Sequence, residues 1–320
     1  MAYIISRPWG GHCGIGHQFH NWVVAWQLAK HYSLKFVHSP FCGDILEPQI
    51  DVPVKEWEEF LGFGVGEIQE SQLPDGIQRC ALPELPWKQD LWLGHTCDNP
   101  TWQQAIEGRK DDHVLFECVR NQFMRLDPSC LQYDILRDRY WQARQQYPVR
   151  CLFDSTQLNV AIHIRRGDVS SNSSAKDRWA DIQIYVNVIN QIAEHYRHPV
   201  MFHIYSDGTK ENLRPVTNLP NTVLHLRDNV FDTFHHMVLA DVLVVGKSSF
   251  SALAGYLQPK IQIVQTLDSI PDRPQSLKRS VGSFTWEHLP DQEHFVPMDG
   301  AGQFSVNRLL SQLRKEGFVC

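Results

Sequence analysis

The chain has 320 residues, 42% of them hydrophobic and 21% charged, a balance that supports packed cores and excludes a disordered chain. Lys and Arg number 30 against 36 Asp and Glu, a net charge of −6, which excludes a general nucleic-acid binder but leaves room for a local cationic pocket. The length suits two domains better than one.

In chain order, Tyr3 to Ser6 reads as a strand, Gly10 to Gly16 as a glycine-rich turn, and a helix follows in which Phe19, Trp22, Val23 and Trp26 keep the i, i+3, i+4, i+7 spacing. The opening apolar run is too short for a signal peptide and no run approaches a membrane span. A soluble, cytoplasmic protein is expected, or a lumenal one if an anchor has been removed. Lys35 to His38 is a strand. Residues 44 to 112 are rich in Pro and Gly and are read as irregular, with one short helix near Val54 to Leu61. Val114 to Cys118 is a strand and Leu131 to Gln146 a helix. The eight cysteines are scattered singly, with no C-x-x-C pair, so zinc-ribbon and thioredoxin-type chemistry lack support and mostly free thiols are expected. No metal-ligand cluster stands out; His235 and His236 are adjacent rather than four apart.

From Asn159 the pattern sharpens. Strands are predicted at Val160 to Ile164, Val200 to Tyr205, Thr222 to Leu226, Val242 to Val245 and Ile261 to Val264. Helices are predicted on the Ile182–Tyr196 face, around Phe231 to Leu239, over Ser249 to Leu257 and over Val306 to Lys315. Alternating strands and helices imply a parallel sheet covered on both faces. The reading is α/β: two Rossmann-like halves, residues 1–150 and 151–320, joined near 148 to 158 and facing a central cleft.

Ligands of such sheets sit beyond the carboxyl ends of the strands, and four strand ends in the second half are polar. They carry His163, Arg165, Arg166 and Asp168; Ser206 and Asp207; Arg227 and Asp228; and Gly246, Lys247, Ser248, Ser249, then Phe250 and Ser251. Guanidinium forks bind phosphate bidentately, and a serine-rich helix start supplies N–H groups and a favourable dipole for an anion. A diphosphate fits both, and a carboxylate such as Asp228 suits the N–H edge of guanine. Taken singly, an Arg-Arg pair is ordinarily a surface ion-pair element and a serine before a helix ordinarily a cap. The functional reading rests on their joint occurrence in order.

HIRRGD, the YSD at Tyr205 to Asp207, and ADVLVVGKSSFSALAGYL from Ala240 to Leu257 resemble three ordered motifs of GDP-fucose-dependent fucosyltransferases, the α1,2 and α1,6 groups and their protein O-fucosyltransferase relatives. GGHCGIGHQFHNW resembles their glycine-rich first loop, with Gly14 and Gly16, although His17 stands where the family usually has Asn. The resemblance implies a GT-B-like fold and inverting transfer of fucose from GDP-fucose to a hydroxyl of a glycan or glycoconjugate acceptor, with no metal and no cofactor. It maps the phosphate-binding arginine to Arg165 or Arg166, a donor-site histidine to His163, hydroxyl contacts to Ser248 and Ser249, and the nucleobase carboxylate to Asp228, with Asp207 as second choice. The same scaffold would also serve another nucleotide sugar, or a catalytically silent carbohydrate- or nucleotide-binding protein.

The expected chemistry follows. Negative charge on the departing diphosphate is stabilised by Arg165, Arg166 and the Ser248–Ser249 helix start. The chain has no D-x-D motif, and Asp111-Asp112 lacks that spacing. His17, in the loop after the first strand, is the first candidate for the base that takes the acceptor proton. Asp168 is the alternative. Replacing Arg166 by alanine is expected to leave folding intact and to cut turnover at least ~100-fold.

Overall fold

The computed structural model describes residues 1–7, 14–41, 54–83, 97, 99–119, 133–167, 169–171, 178–258, 260–265, 280–281, 284–285 and 294–319. The chain divides into two compact units, Met1–Pro148 with Ser283–Pro290, and Val149–Gly282 with Asp291–Cys320.

The first unit contains β1 (Tyr3–Arg7), α1 (Ile15–His31), β2 (Lys35–His38), α2 (Val54–Leu61), β3 (Ile68–Gln69), β4 (Gln78–Ala81), α3 (Pro100–Glu107), β5 (Val114–Val119) and α4 (Tyr133–Gln146). Its sheet has the order β3-β2-β1-β5-β4, and its strand pairs are parallel. Strand alternation sends Tyr3, Ile5, Val37 and Leu115 to one face, under Ile68, Leu73 and Ile77. α1 carries Trp22, whose ring meets Phe36 edge-on at 4.9 Å, so the helical stripe legible in the sequence is core. Its indole N–H donates to His38 Nδ1 at 3.0 Å, which leaves His38 Nε2 to donate to Glu58 at 2.7 Å.

Residues 44 to 112 hold more structure than the sequence reading assigned. Beside the expected α2 there are β3, a 3-10 turn at Glu70–Gln72, β4 and α3. Asn99 caps α3 by accepting from the Thr101 N–H, Pro100 occupies the first turn, and Trp102 and Ile106 are buried. Asn-Pro ahead of two apolar residues four apart was a usable helix-start signal. The short strands had none, because two to four residues show no period.

At the carboxyl end of β1, Arg7 bonds Glu70 with both terminal nitrogens at 2.7 Å and Glu117 through Nε at 3.0 Å. Arg79 bonds the same two carboxylates at 2.8 and 2.9 Å. Foremost through Arg7, and against the cost of burial, Glu70 falls from 4.5 to about 2. Burial also opposes ionisation of Glu117, yet Arg7 and Arg79 hold it below its usual range. A carboxyl that keeps its charge to lower pH when folded contributes fully above its unfolded pKa and loses that contribution as pH falls through the folded one. Stability should therefore decline from about pH 4.5 toward pH 2. Thermal unfolding followed at intervals between those limits should show the decline, and Glu70→Gln should flatten part of it. An unchanged acid slope in the variant would contradict the account.

The second unit contains β6 (Leu158–His163), α5 (Ile182–His195), β7 (Val200–Ser206), α6 (Lys210–Thr217), β8 (Thr222–Leu226), α7 (Val230–Leu239), β9 (Val242–Val245), α8 (Ser249–Leu257), β10 (Ile261–Gln265), β13 (Phe295–Met298) and α9 (Val306–Lys315). It also contains β11 (Ser280–Val281), whereas β12 (Phe284–Thr285) belongs to the first unit. The main sheet has the order β13-β10-β9-β6-β7-β8, and its strand pairs are parallel. Counted from β6, that is the 3-2-1-4-5-6 order of a dinucleotide-binding fold. α6, β11 and β13 were not predicted. α6 contains Pro215, which argues against a helix in the sequence. β13 contains Pro297, tolerated because β13 is the edge strand.

The two faces of this sheet differ in chemistry. Val160, Ile162, Phe202, Ile204, Val242, Val244, Ile261 and Ile263 pack with the apolar sides of α5 and α9. By alternation Asn159, His163, His203, Tyr205 and His225 take the opposite face, where the rings of His225 and Tyr205 reach His236 on α7. Among the described residues no helix is long and apolar enough to cross a membrane. Of the described cysteines, Cys80 and Cys151 are free thiols.

Candidate functional site

In a 3-2-1-4-5-6 sheet the connections leave in opposite directions from the first and fourth strands, which opens a crevice at their carboxyl ends. Here those strands are β6 and β9. β6 delivers His163, Arg165 and Arg166; β9 delivers Gly246 and the start of α8. A side chain on Gly246 would meet the His163 carbonyl at 2.8 Å and the Tyr185 hydroxyl at 2.9 Å. Only glycine lets the two strand ends come this close.

His163 is buried, and its Nδ1 has no hydrogen-bond partner. Burial pushes its pKa down, and Arg165 adds to the shift while Asp207 opposes it, so the ring is a neutral imidazole at physiological pH. Phe250, in the first turn of α8, lies with its ring 5.7 Å from that of His163. Ser248 caps α8 by position, but its hydroxyl makes no cap bond. It is 2% exposed, and the next residue, Ser249, is half-buried. A helix start whose buried Ser248 makes no cap bond, following the strand beside the one that ends in a ring nitrogen without a partner, is suited to an oxygen-rich anion.

The loops after β6, β7 and β8 are tied together. Ser206 Oγ donates to the Ile164 carbonyl at 2.6 Å and accepts from the Gly208 N–H at 3.1 Å. The Arg166 backbone N–H donates to Asp207 Oδ1 at 2.8 Å. Arg227 adopts a left-handed backbone, φ 56, and its N–H reaches the Ser206 carbonyl at 3.0 Å.

These contacts separate the predicted residues. Arg166 is buried, and its guanidinium donates to the Arg165 carbonyl at 2.9 Å and the Ala180 carbonyl at 2.8 Å. It also lies 5.4 Å from the centre of the Trp179 ring. Those contacts make it an anchor of the loop that leads into α5, and they contradict the expectation that it is expendable for folding. Arg165 is half-buried beside it. Asp207 braces the Arg166 backbone, whereas Asp228 keeps 45% of its side chain exposed. His17 is not in a loop: α1 begins at Ile15, so residue 17 belongs to its first turn because the helix starts before the glycine motif ends. Gly14 is the residue before that helix, with φ −59, and Gly16 lies inside it. The His17 side chain and Asp168 lie outside the described residues. Among those residues, no group of three or more His, Cys, Asp or Glu is placed to hold a metal ion. Sequence reasoning missed Trp179 and Ala180, which precede α5 and carry no motif.

Solved structures share the overall likeness at low identity. The fucosyltransferase NodZ from Bradyrhizobium is 13% identical with a TM-score of 0.44, covering 81% of this chain and 94% of its own. POFUT1 in complex with GDP is 13% identical with a TM-score of 0.46, covering 82% and 98%. No curated protein sequence matches the chain. The sequence model of glycosyl transferase family 11 matches residues 95–288, a span that takes in β5 through β12 and therefore the whole β6–β9 crevice with its Arg165 and Ser248 ends. The chain belongs to glycosyl transferase family 11 and is a glycosyltransferase.

Proposed function

We propose that the protein transfers fucose from GDP-fucose to a hydroxyl of a glycan or glycoconjugate, with inversion at the sugar carbon. The observation that carries the reading is the β6–β9 crevice, where His163 Nδ1 without a partner ends one flanking strand and Ser248, which makes no cap bond, opens the helix after the other. NodZ has been solved soaked with GDP-fucose and POFUT1 in complex with GDP-fucose. In the proposed complex the α8 N–H groups, Ser248, Ser249 and Arg165 receive the diphosphate, His163 and Phe250 bound the nucleotide, and Asp228 accepts from the guanine edge.

In the reaction the bond from the sugar carbon to the diphosphate oxygen breaks as the acceptor oxygen attacks from the opposite face. The electron pair leaves with GDP, and the acceptor proton passes to a base, for which His17 and Asp168 remain the candidates. Fixed positive charge and oriented dipoles stabilise the leaving group most at the transition state.

A thermal-shift panel tests the donor. A ligand bound only by the native state at 100 times its Kd adds ~2.7 kcal/mol. GDP and GDP-fucose are expected to raise the Tm, with UDP, ADP and their sugars giving no shift. A response to UDP-sugars alone would replace the donor. NMR of the product then reads the anomeric configuration, and retention would overturn the inverting step.

A further inference from the structure

The polar face of the second sheet carries a continuous hydrogen-bonded chain. Asp228 Oδ2 faces His225 Nδ1 at 3.0 Å, His225 Nε2 faces His203 Nδ1 at 3.2 Å, and His203 Nε2 faces Asn159 Oδ1 at 3.4 Å. The Asn159 amide is oriented by its own donors, since Nδ2 bonds the carbonyls of Asp154 and Gln157 at 2.8 and 3.0 Å. Its oxygen therefore is the atom turned to His203. Both ends of the chain are acceptors.

Proton counting decides the charge. Three gaps need three protons, one each. Two neutral imidazoles bring two, and one gap would then set an acceptor against an acceptor. Three protons fill every gap and make one ring an imidazolium. That ring is His225, the one in contact with a carboxylate. His203 is the wrong choice because burial, then the neighbouring His225 and His236, depress its basicity. Both rings are clamped: Tyr205 stacks on His225 at 4.5 Å and 13°, and Phe153 lies 4.6 Å from His203. The other titratable groups facing the pair are few. Tyr205 comes from β7. α7 contributes His236, whose Nε2 is held by the Arg150 carbonyl at 2.9 Å, and Asp232, which acts on His236. Cys151 lies close to Tyr205.

We propose that His225, backed by His203 and Asn159, is a positioning residue that carries a second proton and pins the Asp228 carboxylate as the acceptor for a guanine edge. This rests on the donor reading above. A carboxylate at a half-exposed rim has rotational freedom, and a charge-assisted bond to one oxygen removes it before the base arrives.

Two measurements on the full chain test the proposal separately. The first is ¹⁵N NMR of the histidine rings without nucleotide. At pH 6 both His225 nitrogens are expected to be protonated, with His203 carrying a proton on Nε2 only. A neutral His225 at that pH would overturn the relay. The second is calorimetric binding of GDP. His225→Leu should weaken GDP about tenfold, equivalent to ~1.4 kcal/mol. His225→Asn, whose amide N–H replaces Nδ1–H, should bind GDP within about threefold of the parent. Equal GDP affinities for the Leu and Asn variants would overturn the positioning role. If the parent does not bind GDP, the donor reading and the guanine assignment fail together, and the NMR result still decides the proton count.

Discussion

Replacing Arg165 by alanine is expected to lower turnover at least ~100-fold, a barrier increase of about 3–4 kcal/mol, with the Tm held close to the parent value. The same change at Arg166 is expected to act on the fold. Arg165 is half-buried just beyond the carboxyl end of β6, on the strand that flanks the crevice, where the proposed diphosphate would meet its guanidinium. Arg166 is 7% exposed and supplies the donors for two main-chain carbonyls, Arg165 and Ala180, while its side chain packs beside Trp179 and Gly208. Its truncation leaves those carbonyls short of donors and opens a void at the entry to α5. At ~1–3 kcal/mol for an unsatisfied buried group, the loss comes to about 3 kcal/mol. For a unit of this size that lowers the Tm by roughly 5–10 °C. Differential scanning calorimetry beside steady-state turnover separates the two residues. Arg166→Ala with a parental Tm and Arg165→Ala with parental turnover would reverse the assignment.

The second large effect is expected at Gly246. An alanine there places a methyl group 2.8 Å from the His163 carbonyl and 2.9 Å from the Tyr185 hydroxyl. The carbonyl belongs to β6 and cannot move without breaking the sheet, and Tyr185 is 1% exposed in the core. Overpacking of this kind costs about 1–3 kcal/mol. Its greater consequence is geometric. The strand ends part, and the α8 mouth with Ser248 shifts relative to His163. A displacement near 1 Å at a positioned reacting group lowers rate on the order of 100-fold. Gly246→Ala is therefore expected to lose GDP affinity and turnover together while its far-UV circular dichroism stays parental. Unchanged GDP binding in a folded variant would mean that the crevice does not hold the donor.

Much of the second unit was legible because its signals are local. The β-branched run Val242 to Val245 and the strand Thr222 to Leu226 fall where the sequence placed them, and so does α8 from Ser249. Buried parallel strands write themselves as unbroken apolar runs. The helix from Val306 to Lys315 was readable from its apolar spacing, and Ser305 caps it. The region from 44 to 112 was read poorly for the converse reason. β3 and β4 are two and four residues long, and what makes them strands is pairing with β2 and β5, partners that lie far off in the sequence. α6 failed to register because Pro215 sits within it. Thr209 caps it and Leu213 and Val216 anchor it, and burial of that face outweighs the missing bond.

The candidate site divides along the same line. Which polar groups follow each strand is a matter of chain order, so His163, the arginine pair, Asp207, Asp228 and the serine run were all visible as strand-end chemistry. The sequence by itself determined that inventory, because donors and acceptors are properties of residue types. Only the tertiary structure decided their employment. It put β6 beside β9, set one arginine of an adjacent pair into the loop as an anchor, bound Asp207 to a backbone N–H, and lined up His203 and His225 behind Asp228. Each of those outcomes depends on contacts between segments tens of residues apart, and a hydrogen bond's direction is fixed by where its partner lies in space.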